Sequence, residues 1–276
     1  MKHFNYGIKA ELLTNGNKFF TAEGSSMAFR CGRSGLNTEK SGRLLLFGLS
    51  QRIENLLAAC YAGDSEVKIL IYSGYKGSEG LIFKGTVYFM RQLAHNGGRC
   101  TELLCCDGYK ALYQTYISCT INKGLSLNNL FTTLAAETAL PVARSVRRET
   151  TLQRAQSIEG RPIPLLQTYS GADVFIENEM LWFLDKEEIL QSDFTLLNRS
   201  GGLYAVYRVN SHMIKAVMRI EHRLKTGQYL MLQSSCEGLN GSYKVMAFRH
   251  QLIKEPSGAE QLTTNILLRE FQNIRK

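Results

Sequence analysis

The chain has 276 residues, 44% of them hydrophobic and 21% charged, the balance of a globular protein with a sizeable core rather than of a disordered or fibrous one. Its 33 Lys and Arg against 24 Asp and Glu give a formal charge of +9, which admits an acidic partner or nucleic acid without selecting either. No run approaches the roughly 20 uncharged apolar residues of a membrane span. Residues 1–9 lack the apolar core of a signal peptide, so folding in the cytosol and no membrane insertion are expected.

Seven cysteines, Cys31, Cys60, Cys100, Cys105, Cys106, Cys119 and Cys236, form neither a CxxC pair nor an even disulfide framework. They are expected to be reduced, mostly as thiols packed in strand cores.

In chain order, Tyr6–Thr14 reads as a strand, Asn15-Gly16-Asn17 as a turn, and 18–22 as the returning strand. Residues 27–32 form another strand, 33–41 a polar connection, and 43–49 a further apolar run. Ser50 can cap a helix carrying Ile53, Leu56, Leu57 and Cys60, with Glu54 in its first turn and a stop at Gly63-Asp64. A strand at 67–72 and a glycine-rich loop at 74–80 lead into the clearest hairpin, 81–93 against 99–106. Its turn, His95-Asn96-Gly97-Gly98, supplies the positive φ angles a tight reversal needs. Asp107-Gly108 ends that hairpin.

A second section follows. Leu127, Leu130, Phe131, Leu134, Ala135 and Thr138 repeat at three- and four-residue steps between Gly124 and Pro141, predicting a helix over 126–140. Residues 142–160 are polar and basic without an apolar period, and Pro162 and Pro164 mark a turn, so 144–164 is expected to be an exposed excursion or a connection. Order returns over 173–186 as a hairpin about Glu177-Asn178-Glu179 that holds the sole tryptophan, Trp182. The third section offers strands at 204–210, 216–223, 229–233, 242–250 and 263–271. The expected fold is mainly β with an α+β insert: an antiparallel β domain over 1–118, a mixed α/β middle over 119–193, and a β domain over 194–276.

Catalytic templates fail one by one. The glycines of 74–80 lack the Gly-Lys-Ser/Thr ending and following helix of a phosphate cradle. His3, His95, His212, His222 and His250 are never in HxH or HExxH spacing. Cys105 and Cys106 must point to opposite faces of their strand. Gly-x-Ser-x-Gly does not occur. The acid pairs Glu177/Glu179 and Glu187/Glu188 sit in or beside turns and are expected to be solvated rather than buried acids. No catalytic residue, metal ligand or cofactor-binding residue is assigned. One basic concentration, Arg144, Arg147, Arg148 and Arg154, has no interleaved aromatics, so a solvated or subunit-contacting loop is favoured over a nucleic-acid groove.

The order of these segments resembles that of phage baseplate hub proteins of the T-even type. The resemblance rests on Ile82-Phe83-Lys84-Gly85 paired with a strand ending in Asp107-Gly108, and on the middle helix ending Ala139-Leu140-Pro141. It rests further on the hairpin 174–184, and on Asn240-Gly241-Ser242-Tyr243-Lys244-Val245 with His250 near the carboxy terminus. It implies two tail-tube-like β-barrels in one chain, three chains presenting six quasi-equivalent barrels to a six-fold tube, and three-fold symmetry to a central spike. The implied partners are two further copies, the tail tube or its initiator, the spike, the tape-measure protein, and DNA passing through the channel. The implied location is the virion tail, after assembly in the host cytoplasm, and the implied role is structural, not enzymatic. The competing readings are a tube initiator, a tail-associated cell-wall hydrolase and a basic nucleic-acid-binding module.

Overall fold

A computed structural model describes residues 6–24, 27–62, 65–75, 77–95, 98–254 and 260–271. In β1 (Tyr6–Thr14) Ile8, Ala10 and Leu12 point inward at a period of two. Asn15 and Gly16 both take positive φ, 50° and 78°, the turn whose twist suits a two-residue hairpin, and β2 (Asn17–Glu23) returns antiparallel. Next come β3 (Met27–Arg33), β4 (Ser41–Phe47) and α1 (Gln51–Ala62). The Ser50 carbonyl accepts the Ile53 and Glu54 N–H groups at 3.0 and 3.1 Å, and Leu57 seals α1 onto the sheet. The expected stop at Gly63-Asp64 lies outside the described residues.

β5 (Val67–Tyr75), β6 (Gly80–His95) and β7 (Gly98–Cys106) complete the amino-terminal sheet. Asn96 and Gly97 lie outside the described residues, but His95 pairs with Gly98 and the hairpin register runs back to Thr86 opposite Cys106. Of the thiols, Cys31, Cys100, Cys105 and Cys106 are buried in strands, whereas Cys119 and Cys236 are exposed. Glu102, centred in β7, is buried and ion-paired to Arg43 on one neighbouring strand and Arg91 on the other. A charged residue thereby sits inside an otherwise apolar run.

After a π-helical turn over Lys110–Gln114 come β8 (Ile117–Ile121) and α2 (Leu127–Glu137). Ser126 caps α2 by accepting the Asn129 N–H on its Oγ at 3.2 Å, and the predicted apolar stripe is the buried one. The following segment departs from expectation. Only 145–155 is the irregular, mostly exposed connection expected; on either side β9 (Val142–Arg144) is a short strand and β10 (Gln156–Gly160) pairs antiparallel with β8, and Val146 and Ile158 are buried. Pro162 and Pro164 do not mark a turn but occupy the first turn of α3 (Pro162–Ser170). At those positions proline's missing N–H has no intrahelical partner to lose. β11 (Asp173–Glu177) and β12 (Met180–Leu184) form the expected hairpin, with β9 added parallel to β12.

The remaining strands are β13 (Leu196–Asn198), β14 (Leu203–Arg208), β15 (Met213–Arg219), β16 (Tyr229–Gln233), β17 (Gly241–Lys254) and β18 (Glu260–Glu270). β13 was not anticipated, pairs parallel to β16, and is only three residues long. β15 ends at Arg219, four residues before the expected limit of 223.

The two β regions are not separate sheets. Strands follow one another in the order β14-β15-β18-β17-β3-β4-β7-β6-β5-β1-β2, with β16 and β13 joined to β17, making one 13-stranded sheet. The joint is β17. A register shift at Met246 changes which parity faces inward, so Tyr243 and Val245 are buried before it and Phe248, His250 and Leu252 after it. Phe248 packs in the carboxy-terminal core with Ile214, Leu230 and Leu268, whereas Leu252 packs in the amino-terminal core with Phe29, Ile69 and Phe83. A third core, built on Leu130, Leu134, Leu166 and Phe183, lies in the middle region. The architecture is therefore mainly β with an α+β insert: two barrel-like lobes sharing a sheet but not a core.

Candidate functional site: a buried ionic latch

The Glu177 and Glu179 carboxylates are not solvated, as expected of turn residues, but buried. Asn178 and Glu179 take φ of 55° and 59°, a two-residue turn whose free backbone N–H groups converge on one carboxylate. That carboxylate is Asp107: Oδ2 accepts from Asn178 N at 2.6 Å and Oδ1 from Glu179 N at 2.7 Å. Asp107 is held in turn by its own N–H, which donates to the Lys40 carbonyl at 2.9 Å.

Two cations from the polar β3–β4 connection meet the same turn. Lys40, 1% exposed, donates to Glu177 Oε1 and, at 2.9 Å, to the Ile82 carbonyl. Arg33 reaches Glu177 Oε2 at 3.2 Å and also donates to the Ile176 carbonyl. On the rim, Glu179 lies 2.8 Å from both Lys68 and Lys84. The insert hairpin is thus pinned to the amino-terminal lobe by three carboxylates and four cations, the inner ones shielded by Phe83, Phe175 and Phe248 beneath the cationic heads. Gly108 is required beside it: its φ is +67°, and a Cβ there would lie 2.5 Å from Ile176 Cδ1.

Burial pushes the Asp107 carboxyl up to about 7, with Glu177 adding to the rise and Lys40, Arg33 and the Glu179 N–H opposing it. For Glu179 burial also acts upward, but the hydrogen bonds from Lys68 and Lys84 outweigh it and hold the group below its ordinary value. His250 faces the latch from β17. Burial, then Lys40, drives its pKa down to about 3, and its Nδ1 is 2.8 Å from Thr264 Oγ1. Burial raises the Cys105 and Cys106 thiols well above their ordinary value, so neither is a ready nucleophile.

The other sequence candidates do not converge. His3 lies outside the described residues, as does the side chain of His95. His212 is exposed, and His222 lies 3.8 Å from Glu221. Among the described residues no three His, Cys, Asp or Glu side chains group as a metal site, and no helix is long and apolar enough to cross a membrane. Of the glycine-rich stretch 74–80, Gly74 and Tyr75 end β5 and Gly80 begins β6, and the two strands pair antiparallel. In the basic segment Arg144 pairs with Glu188, and Arg148 with Asp185, while Arg147 and Arg154 are exposed. Glu188 is therefore an ion-pair partner rather than a merely solvated acid.

Sequence reasoning singled out Asp107-Gly108 and the Glu177-Asn178-Glu179 turn separately. It missed that one binds the other, and it missed Arg33 and Lys40 altogether. The local signal was slight: two cations at either end of a short polar connection, and acids on both sides of a two-residue turn.

A mainly β chain whose two lobes share one sheet around an ion-latched α/β insert has the fold of solved phage tail proteins. It superposes on a tail protein from Neisseria meningitidis MC58 with a TM-score of 0.63 at 11% identity, covering 96% of this chain and 97% of that one. The 43 kDa tail protein of prophage MuSo2 from Shewanella oneidensis gives 0.65 at 10% identity, covering 95% and 98%. An Escherichia coli component of the type VI secretion system, described as similar to the bacteriophage T4 tail proteins gp27 and gp5, gives 0.66 at 7% identity, covering 95% of this chain and 77% of that one. No protein-family model matches the sequence, and no curated protein matches it.

Proposed function

We propose that the chain is a non-enzymatic structural subunit of a phage tail: a trimeric baseplate or tail-tip hub that joins a six-fold tube to a three-fold spike and encloses a passage for DNA. The observation that carries this reading is coverage. Both β lobes and the insert together match nearly the full length of two phage tail proteins, whereas they match 77% of the secretion-system component.

The physical logic is symmetry. Two barrel-like lobes per chain let three copies offer six similar surfaces, and a closed ring needs contact between unlike surfaces. The long sheet supplies unlike ends: among the described residues β2 pairs only with β1, and β14 only with β15. Such edges need protection, and ring closure provides it. The divisions 1–118, 119–193 and 194–276 are proposed as the units of this plan. Tube, spike and tape-measure protein are the proposed neighbours, the virion tail the proposed location, and host cytoplasm the proposed place of assembly.

Mass photometry and negative-stain imaging of the purified chain, alone and with its spike, test the proposal. A three-chain ring that captures the spike is expected. A six-chain ring would favour a tube initiator instead, and a strict monomer indifferent to the spike would overturn the hub reading. Zymography on peptidoglycan is expected to show no clearing, and clearing would favour a hydrolase.

A further inference from the structure

β8 pairs with β10 on one side only among the described residues, and its other edge borders a groove walled by α2. The helix contributes Leu130, Thr133, Leu134 and Glu137, a ridge at three- and four-residue steps, while all of β8 forms the opposite wall. Ile117 and Ile121 are buried, yet Cys119, which shares their face at a period of two, is exposed. The groove therefore opens midway along the strand. A free strand edge facing a helix is the arrangement that takes an extended chain as an added strand, with alternate side chains entering the pocket.

One end of the groove is acidic, against the net positive charge of the protein. Glu137 lies exposed in the last turn of α2, where the helix dipole already concentrates negative charge and no basic residue offsets it. Tyr116, which also lines the groove, donates its hydroxyl to Glu159 at 2.9 Å, so a second carboxylate borders the lining. We propose that this groove binds an extended segment of a partner protein, added as a strand to β8, with an apolar residue over Cys119 and a Lys or Arg beside Glu137. The inference stands independently of ring assembly.

The test uses the full chain carrying Cys236→Ser, which leaves Cys119 as the exposed thiol among the described residues. The probes are synthetic acetylated peptides of alternating Val and Thr that begin with Lys, begin with Glu, or carry a central Pro. The lysine peptide is expected to slow alkylation of Cys119 by iodoacetamide about fivefold or more at millimolar concentration, the scale of one charge-assisted contact plus strand pairing. Glu137→Lys should abolish that protection and transfer it to the glutamate peptide, with an unchanged melting temperature as the folding control. Glu137→Gln serves if the lysine variant misfolds and should also lose the preference for lysine. Equal protection by the proline peptide, protection unaffected by Glu137 substitution, or no protection by any peptide would overturn the proposal. So would protection that rises with protein concentration alone, which would assign the groove to a second copy.

Discussion

Lys40 and Glu177 are separated by 137 positions in the chain and meet as a buried ion pair at the junction of the amino-terminal lobe and the insert. Arg33 shares the same carboxylate, so loss of either partner has unequal consequences. Glu177→Gln leaves two buried cations facing only Asp107 and is expected to cost about 3–5 kcal/mol, the scale for stranding a buried charge. Lys40→Met leaves Glu177 still paired with Arg33 and should cost less. The double variant should be more stable than the sum of the singles predicts by about 1–3 kcal/mol. Urea denaturation of the four proteins gives the cycle, and strict additivity would show that the pair is not coupled.

Local chemistry made much of this fold legible. The hairpins at 6–23 and 173–184, the long hairpin of β6 and β7, and the Ser126-capped α2 each carry their own turn or cap residues beside a clear apolar period. The missed features depend on distant chain. α3 was hidden because Pro162 and Pro164 punctuate a sequence equally well as turn residues or as a helix start. The burial of Glu177 depends on Arg33 and Lys40, and nothing within ten residues of Glu177 announces them. The joining of β17 to β3 was also beyond a local reading, since pairing between strands over 200 residues apart leaves no periodic trace in either. Lys68 and Lys84 stand on different strands of the amino-terminal lobe, and only the insert hairpin brings Glu179 to both of them.

That seam offers the next prediction. A Cβ on Gly32 would lie 2.4 Å from the Phe248 carbonyl oxygen and 2.8 Å from Arg249 Cα. Both are backbone atoms, so β3 and β17 must separate to admit it. Gly32→Ala is expected to destabilise by about 1–3 kcal/mol, as overpacking does, and to speed amide exchange over residues 27–33 and 248–254. Gly238→Ala, where a Cβ meets nothing within 4 Å, is the control. Unchanged exchange at the seam in Gly32→Ala would mean that the lobes are not held by this pairing.

Two buried groups near the latch give stability opposite dependences on pH. Asp107 titrates at about 7 in the fold against about 3.9 in an unfolded chain. The folded state then binds the extra proton, and this contribution is full below the unfolded value and lost as pH rises through about 7. His250, at about 3 in the fold, behaves in the other sense: its contribution is present above about 6.5 and is lost as pH falls toward 3. Asp107→Asn removes the first dependence and leaves the second. Denaturation at pH 5, 6, 7 and 8 should show the wild type losing ground to Asp107→Asn as pH rises. A constant difference between the two proteins would show that Asp107 does not titrate in this range.

The basic segment divides into residues that hold the insert and residues that do not. Arg148 donates its backbone N–H to Asn128 Oδ1 at 2.8 Å and its Nε to the Ser170 carbonyl at 2.9 Å, and pairs with Asp185. It thereby ties the start of α2, the end of α3 and the exit of β12. Its carboxylate partner is about half exposed, so the ion pair adds little, and the bond to a carbonyl at a helix end carries most of the effect. Arg148→Ala is expected to cost about 1–2 kcal/mol, whereas Arg147→Ala and Arg154→Ala, at exposed positions, should stay within about 0.5 kcal/mol. The exposed pair should instead govern any polyanion contact, so a double Arg147→Ala and Arg154→Ala variant should elute from heparin at lower salt while melting like the wild type. If Arg148→Ala melts normally and the exposed substitutions unfold the insert, the division drawn within this segment is wrong.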